Sequence, residues 1–142
     1  MDLANITSAN NENMASKDKN KNFLKILKGS IISIICTLIL LTIYATILSS
    51  TDIAESTMVP VVLVITGISI LIGSSMSSIS IQKRGILNGG LVGFIYVAFL
   101  YIASSILGIG FEININTIIM SAVGIIAGMI GGVIGVNMKM SR

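Results

Sequence analysis

The sequence predicts an all-α, polytopic integral membrane protein: four transmembrane helices in an antiparallel bundle, with both termini on the cytoplasmic side. Three observations carry this. Four long apolar runs contain no Asp, Glu, Lys or Arg, and they are joined by short polar connections. All nine Lys and Arg fall in three stretches, Lys17–Lys28, Lys83-Arg84 and Lys139 with Arg142. The 142 residues are 54% hydrophobic and only 11% charged, whereas a soluble domain carries about 25% charge to cover its surface.

Residues 1–28 read as a polar cytoplasmic leader, largely disordered, with a basic juxtamembrane segment. Six Asn fall between Asn5 and Asn22, and such composition buries too little apolar surface to offset the entropy of ordering. The apolar run that follows is too long for the core of a secretory signal, and no small-x-small cleavage site follows it. Ile34 and Ile35 before Cys36 also speak against a lipoprotein site.

The transmembrane domain is assigned to residues 29–138. The first span covers about 30–49, and about 20 residues at 1.5 Å each match the ~30 Å hydrocarbon core. The second covers about 58–81, with Pro60 near its first turn, where a missing N–H costs little. The third covers about 86–107 and the fourth about 117–136, both long enough for the same crossing. None alternates with period two, as barrel strands would. The loops around Asp52 and Glu55 and around Glu112 carry acids only. Loops this short make neighbouring helices antiparallel. Keeping Lys and Arg in the cytoplasm then leaves none outside and sets both termini inside, in a bacterial plasma membrane.

Two kinds of side chain stand out in the spans. Small residues recur at every fourth position: Gly124, Gly128 and Gly132 beside Gly131 and Gly135; Gly85, Gly89 and Gly93; Ser69, Gly73 and Ser77. Lipid tails are as apolar as Leu, so such residues associate helices by letting backbones approach closely. Gly73, Ser77, Gly85, Gly89, Gly93, Gly124, Gly128, Gly131, Gly132 and Gly135 are therefore read as helix-packing residues. They serve either inside one bundle or as an oligomer seam or pore. The two adjacent stripes of the fourth span suit contact with two neighbours at once. Ser69, Ser74, Ser75, Ser77, Ser78 and Ser80 either line a polar path or bond a carbonyl one turn back and pack as small residues.

Lys17, Lys21, Lys25 and Lys28 share one face if their segment is helical, and each Lys near an anionic leaflet adds about 1 kcal/mol. With Lys83, Arg84, Lys139 and Arg142 they form the topology-setting, lipid-facing basic set. Tyr44, Tyr96 and Tyr101 read as interfacial anchors or packing residues. A shift of 57 superposes Tyr44 on Tyr101, Gly67 on Gly124, Ser74 on Gly131 and Ser78 on Gly135. That is compatible with duplication of a helical hairpin, although apolar low-complexity sequence also produces such matches by chance.

Catalytic, cofactor and metal sites are not expected. There is no His and a single Cys, Cys36, so neither a disulfide nor a zinc site can be built. No acid is positioned to activate a nucleophile. No ionisable residue lies within a span to couple protons or ions. The net charge of +3 is explained by loop placement, not by nucleic acid.

The stretch Lys28–Met138 resembles the small four-span membrane proteins of the YrzE type from Gram-positive, often spore-forming, bacteria. The likeness rests on Lys28-Gly29 and on the turn Lys83-Arg84-Gly85-Ile86-Leu87-Asn88-Gly89-Gly90-Leu91-Val92-Gly93. Members usually carry another Gly and more Ala where this chain has Ser74, Ser75 and Ser77. The resemblance implies a four-span protein with no assigned activity, so no functional residue is carried over. The abundance of Ile, Asn and Lys is similar to that of proteins from AT-rich clostridial genomes. The expected function is that of a structural, accessory or self-associating membrane subunit, whose partners are the lipid bilayer and either further copies or another membrane protein. A small oligomeric channel or transporter along the Gly and Ser faces is the alternative.

Overall fold

The chain places its large aliphatic side chains outside and its small polar ones inside. Ser33, Ser69, Ser74 and Ser78 are 0% exposed, while Ile35, Leu38, Val64 and Phe94 are more than half exposed. Among the described residues the buried hydrophobic set is only Ile26, Ile70, Val92 and Tyr96. In water this pattern would be inverted, because apolar burial drives folding there. In lipid the aliphatic exterior matches its solvent, and close backbone packing holds the inside together.

A computed structural model describes residues 2–52, 55–81, 83–108 and 114–140. Helix α1 is Leu3–Ser49, a single 3-10 turn spans Glu55–Thr57, α2 is Met58–Ile81, α3 is Gly85–Ile106 and α4 is Ile115–Met140. All four α-helices are long and apolar enough to cross a membrane. Arg142 and Glu112, named above for their charges, lie outside the described residues.

Helix α1 differs from expectation. Its 47 residues continue unbroken through the segment read as a disordered leader. The span supplies the costly helical nucleus, and each residue added at its N-terminal end fixes only one more step. Hydroxyls along the arm bond backward to backbone carbonyls, Thr7 Oγ1 to Leu3 O at 2.9 Å and Ser8 Oγ to Ala4 O at 2.8 Å. These bonds satisfy the side chains within the helix. Asp2 to Leu24 are all exposed, so this part of α1 packs against no other described residue.

Neighbouring helices meet in a defined register. Gly85 lies against Gly132, Gly89 against Gly128, and Gly93 against Gly124. Partner numbers thus fall along α4 as they rise along α3. The same falling register joins α1 to α2, through Gly29 with Ser77 and Ser33 with Gly73. Between α2 and α4 the numbers rise together, Leu71 with Gly131 and Ser75 with Gly135. Helices α1 and α4 do not touch.

The buried residues are confined to one half of the bundle: Ile26–Thr37 of α1, Ser69–Ser78 of α2, Gly89–Tyr96 of α3 and Gly124–Gly135 of α4. Lys25 donates from Nζ to Ser80 O at the end of α2 (2.8 Å), and Gly85 abuts Val136. Lys25, Lys28, Lys83, Arg84 and Lys139 are therefore gathered at this closed end. Toward the opposite end a cavity opens between α2, α3 and α4.

Candidate functional site: closed seams and an open cavity

The α3·α4 seam is built of backbone against backbone. A Cβ placed on Gly85 would stand 2.5 Å from Gly132 O, and one on Gly93 would stand 2.5 Å from Gly124 O. On Gly89 it would overlap Gly128 O, and on Gly128 it would overlap Gly89 O. Gly124, Gly128 and Gly132 thus face α3, whereas Gly131 meets Leu71 and Ser74, and Gly135 meets Ser75, on α2. The second stripe turns Ser75 Oγ into a donor to Gly131 O at 2.8 Å. The α1·α2 seam uses Gly29 and Gly73, with Ser33 and Ser77 filling the gaps. Ser77 Oγ donates to Lys25 O at 3.1 Å, and Ser33 Oγ donates to Gly29 O at 3.1 Å.

The serines of α2 thus divide. Ser69 and Ser74 bond back along their own helix, to Ile65 O and Leu71 O. Ser75 and Ser77 bond across to neighbours. Ser78 Oγ is buried with no hydrogen-bond partner among the described residues.

The turn between α2 and α3 explains its sequence. Arg84 adopts left-handed backbone angles (φ 51°, ψ 53°), which reverses the chain quickly. Asn88 donates from Nδ2 to Lys83 O and from its backbone to Arg84 O, clamping the turn. Gly85 then starts α3 directly against Gly132.

Beyond Gly93 and Gly124 the side chains enlarge to Val97, Leu100 and Tyr101 on α3 and to Met120 and Thr117 on α4, and the two helices part. With Val62–Gly67 of α2 as a third wall they line a half-open cavity of about 430 Å³. Tyr96 closes its floor. It is 0% exposed, and its phenol shares a 2.9 Å hydrogen bond with Thr37 Oγ1 of α1. Ser104, Asn114 and Thr117 stand at the outer rim. Among the described residues no Asp, Glu, Lys, Arg or His lines the space.

A family model described as "Protein of unknown function (DUF3792)" matches residues 22–135. The chain belongs to this family. No curated protein and no solved structure matches it. The DUF3792 match takes in both seams, the α2–α3 turn and the whole cavity, and leaves the first 21 residues outside. Among the described residues no cluster of His, Cys, Asp or Glu is suited to a metal ion.

Of the residues singled out from sequence, Gly73, Ser77, Gly85, Gly89, Gly93, Gly124, Gly128, Gly131, Gly132 and Gly135 all stand at helix–helix contacts. Lys17, Lys21, Lys28, Lys83, Arg84 and Lys139 are exposed, and Lys25 caps α2. Gly29 and Ser33, spaced four apart, carried the same small-residue signal and were not read as packing residues. The Thr37–Tyr96 bond and the cavity leave no such signature, because each joins residues far apart in the chain. The two hairpin seams share a register: Gly29 and Ser33 correspond to Gly85 and Gly89 at a shift of 56, and Gly73 and Ser77 to Gly128 and Gly132 at a shift of 55.

Proposed function

We propose that this DUF3792 protein is a non-catalytic accessory subunit of a bacterial plasma membrane that engages a protein partner through its basic end and the projecting arm of α1. The observation that carries this is the disposition of contact surfaces within one copy. The small-residue faces are used against one another, the exterior of the spans is aliphatic, and the arm from Asp2 to Leu24 has no partner among the described residues. An exposed, mostly polar helix can bridge to something else. The falling registers of α1 with α2 and of α3 with α4, together with the short loops, support an up-down-up-down antiparallel bundle. Gathering of the basic residues at one end supports cytoplasmic termini. The Lys83–Gly93 turn supports placing the family with the YrzE type.

In-cell crosslinking followed by pull-down tests this reading. The full chain is expected to retain a stoichiometric membrane partner that a chain lacking residues 3–21 loses. Retention of the same partner by the truncated chain, or crosslinking to further copies alone, overturns it. The channel reading along the Gly and Ser faces has little support, since those faces are occupied within the bundle. Solute flux through reconstituted protein would restore it.

A further inference from the structure

We propose that the cavity between α2, α3 and α4 is a binding site for an uncharged, single-chain amphiphile whose head carries hydroxyl or carbonyl groups. The first argument is size. About 430 Å³ falls within the 300–1,000 Å³ range of small-ligand pockets. The space is therefore of small-ligand size.

The second argument is charge. A charged group buried without a partner costs several kcal/mol, and among the described residues no Asp, Glu, Lys, Arg or His lines this wall. An anionic fatty acid or phosphate would have no counter-ion among the described residues. The third argument is the order of the lining. The midsection is mostly apolar, with Leu63, Val97, Leu100 and Met120 beside the hydroxyls of Thr66 and Ser121, and Ser121 Oγ is already engaged with Thr117 O at 2.7 Å. The rim is polar, with Ser104 and Asn114. Asn114 Oδ1 already accepts from Ile115 N–H at 2.8 Å, which holds the carboxamide at the start of α4 and leaves its NH2 side to donate. At the floor the Tyr96 hydroxyl is engaged with Thr37, so the deep end does not demand a polar group. A chain inserted from the rim buries its apolar part first and leaves its head beside Ser104 and Asn114.

Gly67 makes the assignment testable. It lines the cavity, yet a Cβ built on it meets nothing within 4 Å. Unlike the seam glycines, it is not held small by a neighbouring helix. A larger side chain there enters the cavity without separating the bundle.

The experiment uses full-length protein in nanodiscs and a diazirine-bearing monoacylglycerol, with crosslinks mapped by mass spectrometry. Labelling is expected to saturate and to fall on α2 near Leu63–Gly67, α3 near Val97–Ser104 and α4 near Thr117–Gly124. An unlabelled monoacylglycerol should compete, and a diazirine fatty acid of the same chain length should label at least fivefold less. Gly67→Phe should cut labelling at least fivefold with little change in melting temperature. Met120→Trp, narrowing the opposite wall, should do the same. Labelling spread over the lipid-facing residues and unaffected by either variant overturns the site. Equal labelling by the fatty acid overturns the neutral-ligand assignment. Loss of fold in both variants also overturns the proposal, because the space would then not accommodate added volume.

Discussion

Gly128 and Gly67 undergo the same chemical change when mutated to Ala, and the structure requires opposite outcomes. A Cβ on Gly128 would overlap Gly89 O, and would stand 3.1 Å from Gly93 N and 3.2 Å from Gly89 C. Every one of these atoms is backbone, so no side-chain rotation relieves the conflict and α3 must move away from α4. That loosens the Gly85–Gly132 and Gly93–Gly124 contacts as well. Overpacking costs about 1–3 kcal/mol, and the upper end applies where backbone meets backbone. Replacing a helical Gly with Ala returns up to about 1 kcal/mol. The net loss is then about 2 kcal/mol. At roughly 2–4 °C per kcal/mol for a chain of this size, Gly128→Ala lowers the melting temperature of the detergent-purified protein by about 4–8 °C. Gly67→Ala meets no atom, so only the propensity gain remains, a rise of about 2–4 °C. Thermal scanning of both variants beside the parent decides it. Equal shifts, or a larger drop for Gly67→Ala, would refute the seam as the determinant of packing. Gly128→Leu should be more damaging still.

Other expectations follow from single contacts. Tyr96→Phe removes the 2.9 Å bond to Thr37 and should cost about 0.6 kcal/mol, at most about 1.7, as interhelical bonds in membranes do; a double-mutant cycle with Thr37→Val should recover that coupling, and a value of zero would show the bond to be incidental. Ser75→Ala loses its bond to Gly131 O and should destabilise, whereas Ser78→Ala, which removes a buried hydroxyl with no partner among the described residues, should be neutral or stabilising; the reverse order in thermal scanning would contradict the bonding pattern. Arg84→Gly relieves left-handed backbone at a non-glycine residue and should stabilise by about 1 kcal/mol, read as a rise in melting temperature.

Much of the fold was legible because bilayer thickness imposes a length and a polarity that local sequence displays directly. The spans were read at 58–81 and 86–107, and the helices are Met58–Ile81 and Gly85–Ile106. Stripes such as Gly124, Gly128 and Gly132 were legible for a related reason: a helical face is a local period. Two features escaped. The arm of α1 looked disordered because Asn-rich composition describes an isolated peptide, while here the helix is propagated from an adjoining span. The cavity escaped because it arises from a difference between two faces. The seam is tight where glycines oppose and splays where Val97 and Leu100 follow Gly93, and no single segment announces that contrast. Gly67 illustrates the limit. It looks like the other helical glycines in sequence, and only its surroundings show that nothing presses against it.

Because α1 is one uninterrupted helix, its exposed part is mechanically joined to its buried part. From Leu3 to Lys25, at 1.5 Å per residue, the outer limb is about 35 Å long. A change of about 10° in the tilt of the first span, well within the range such helices show in bilayers, carries its tip sideways by about 6 Å. A change in the tilt of the first span would thereby be converted into displacement of a long lever.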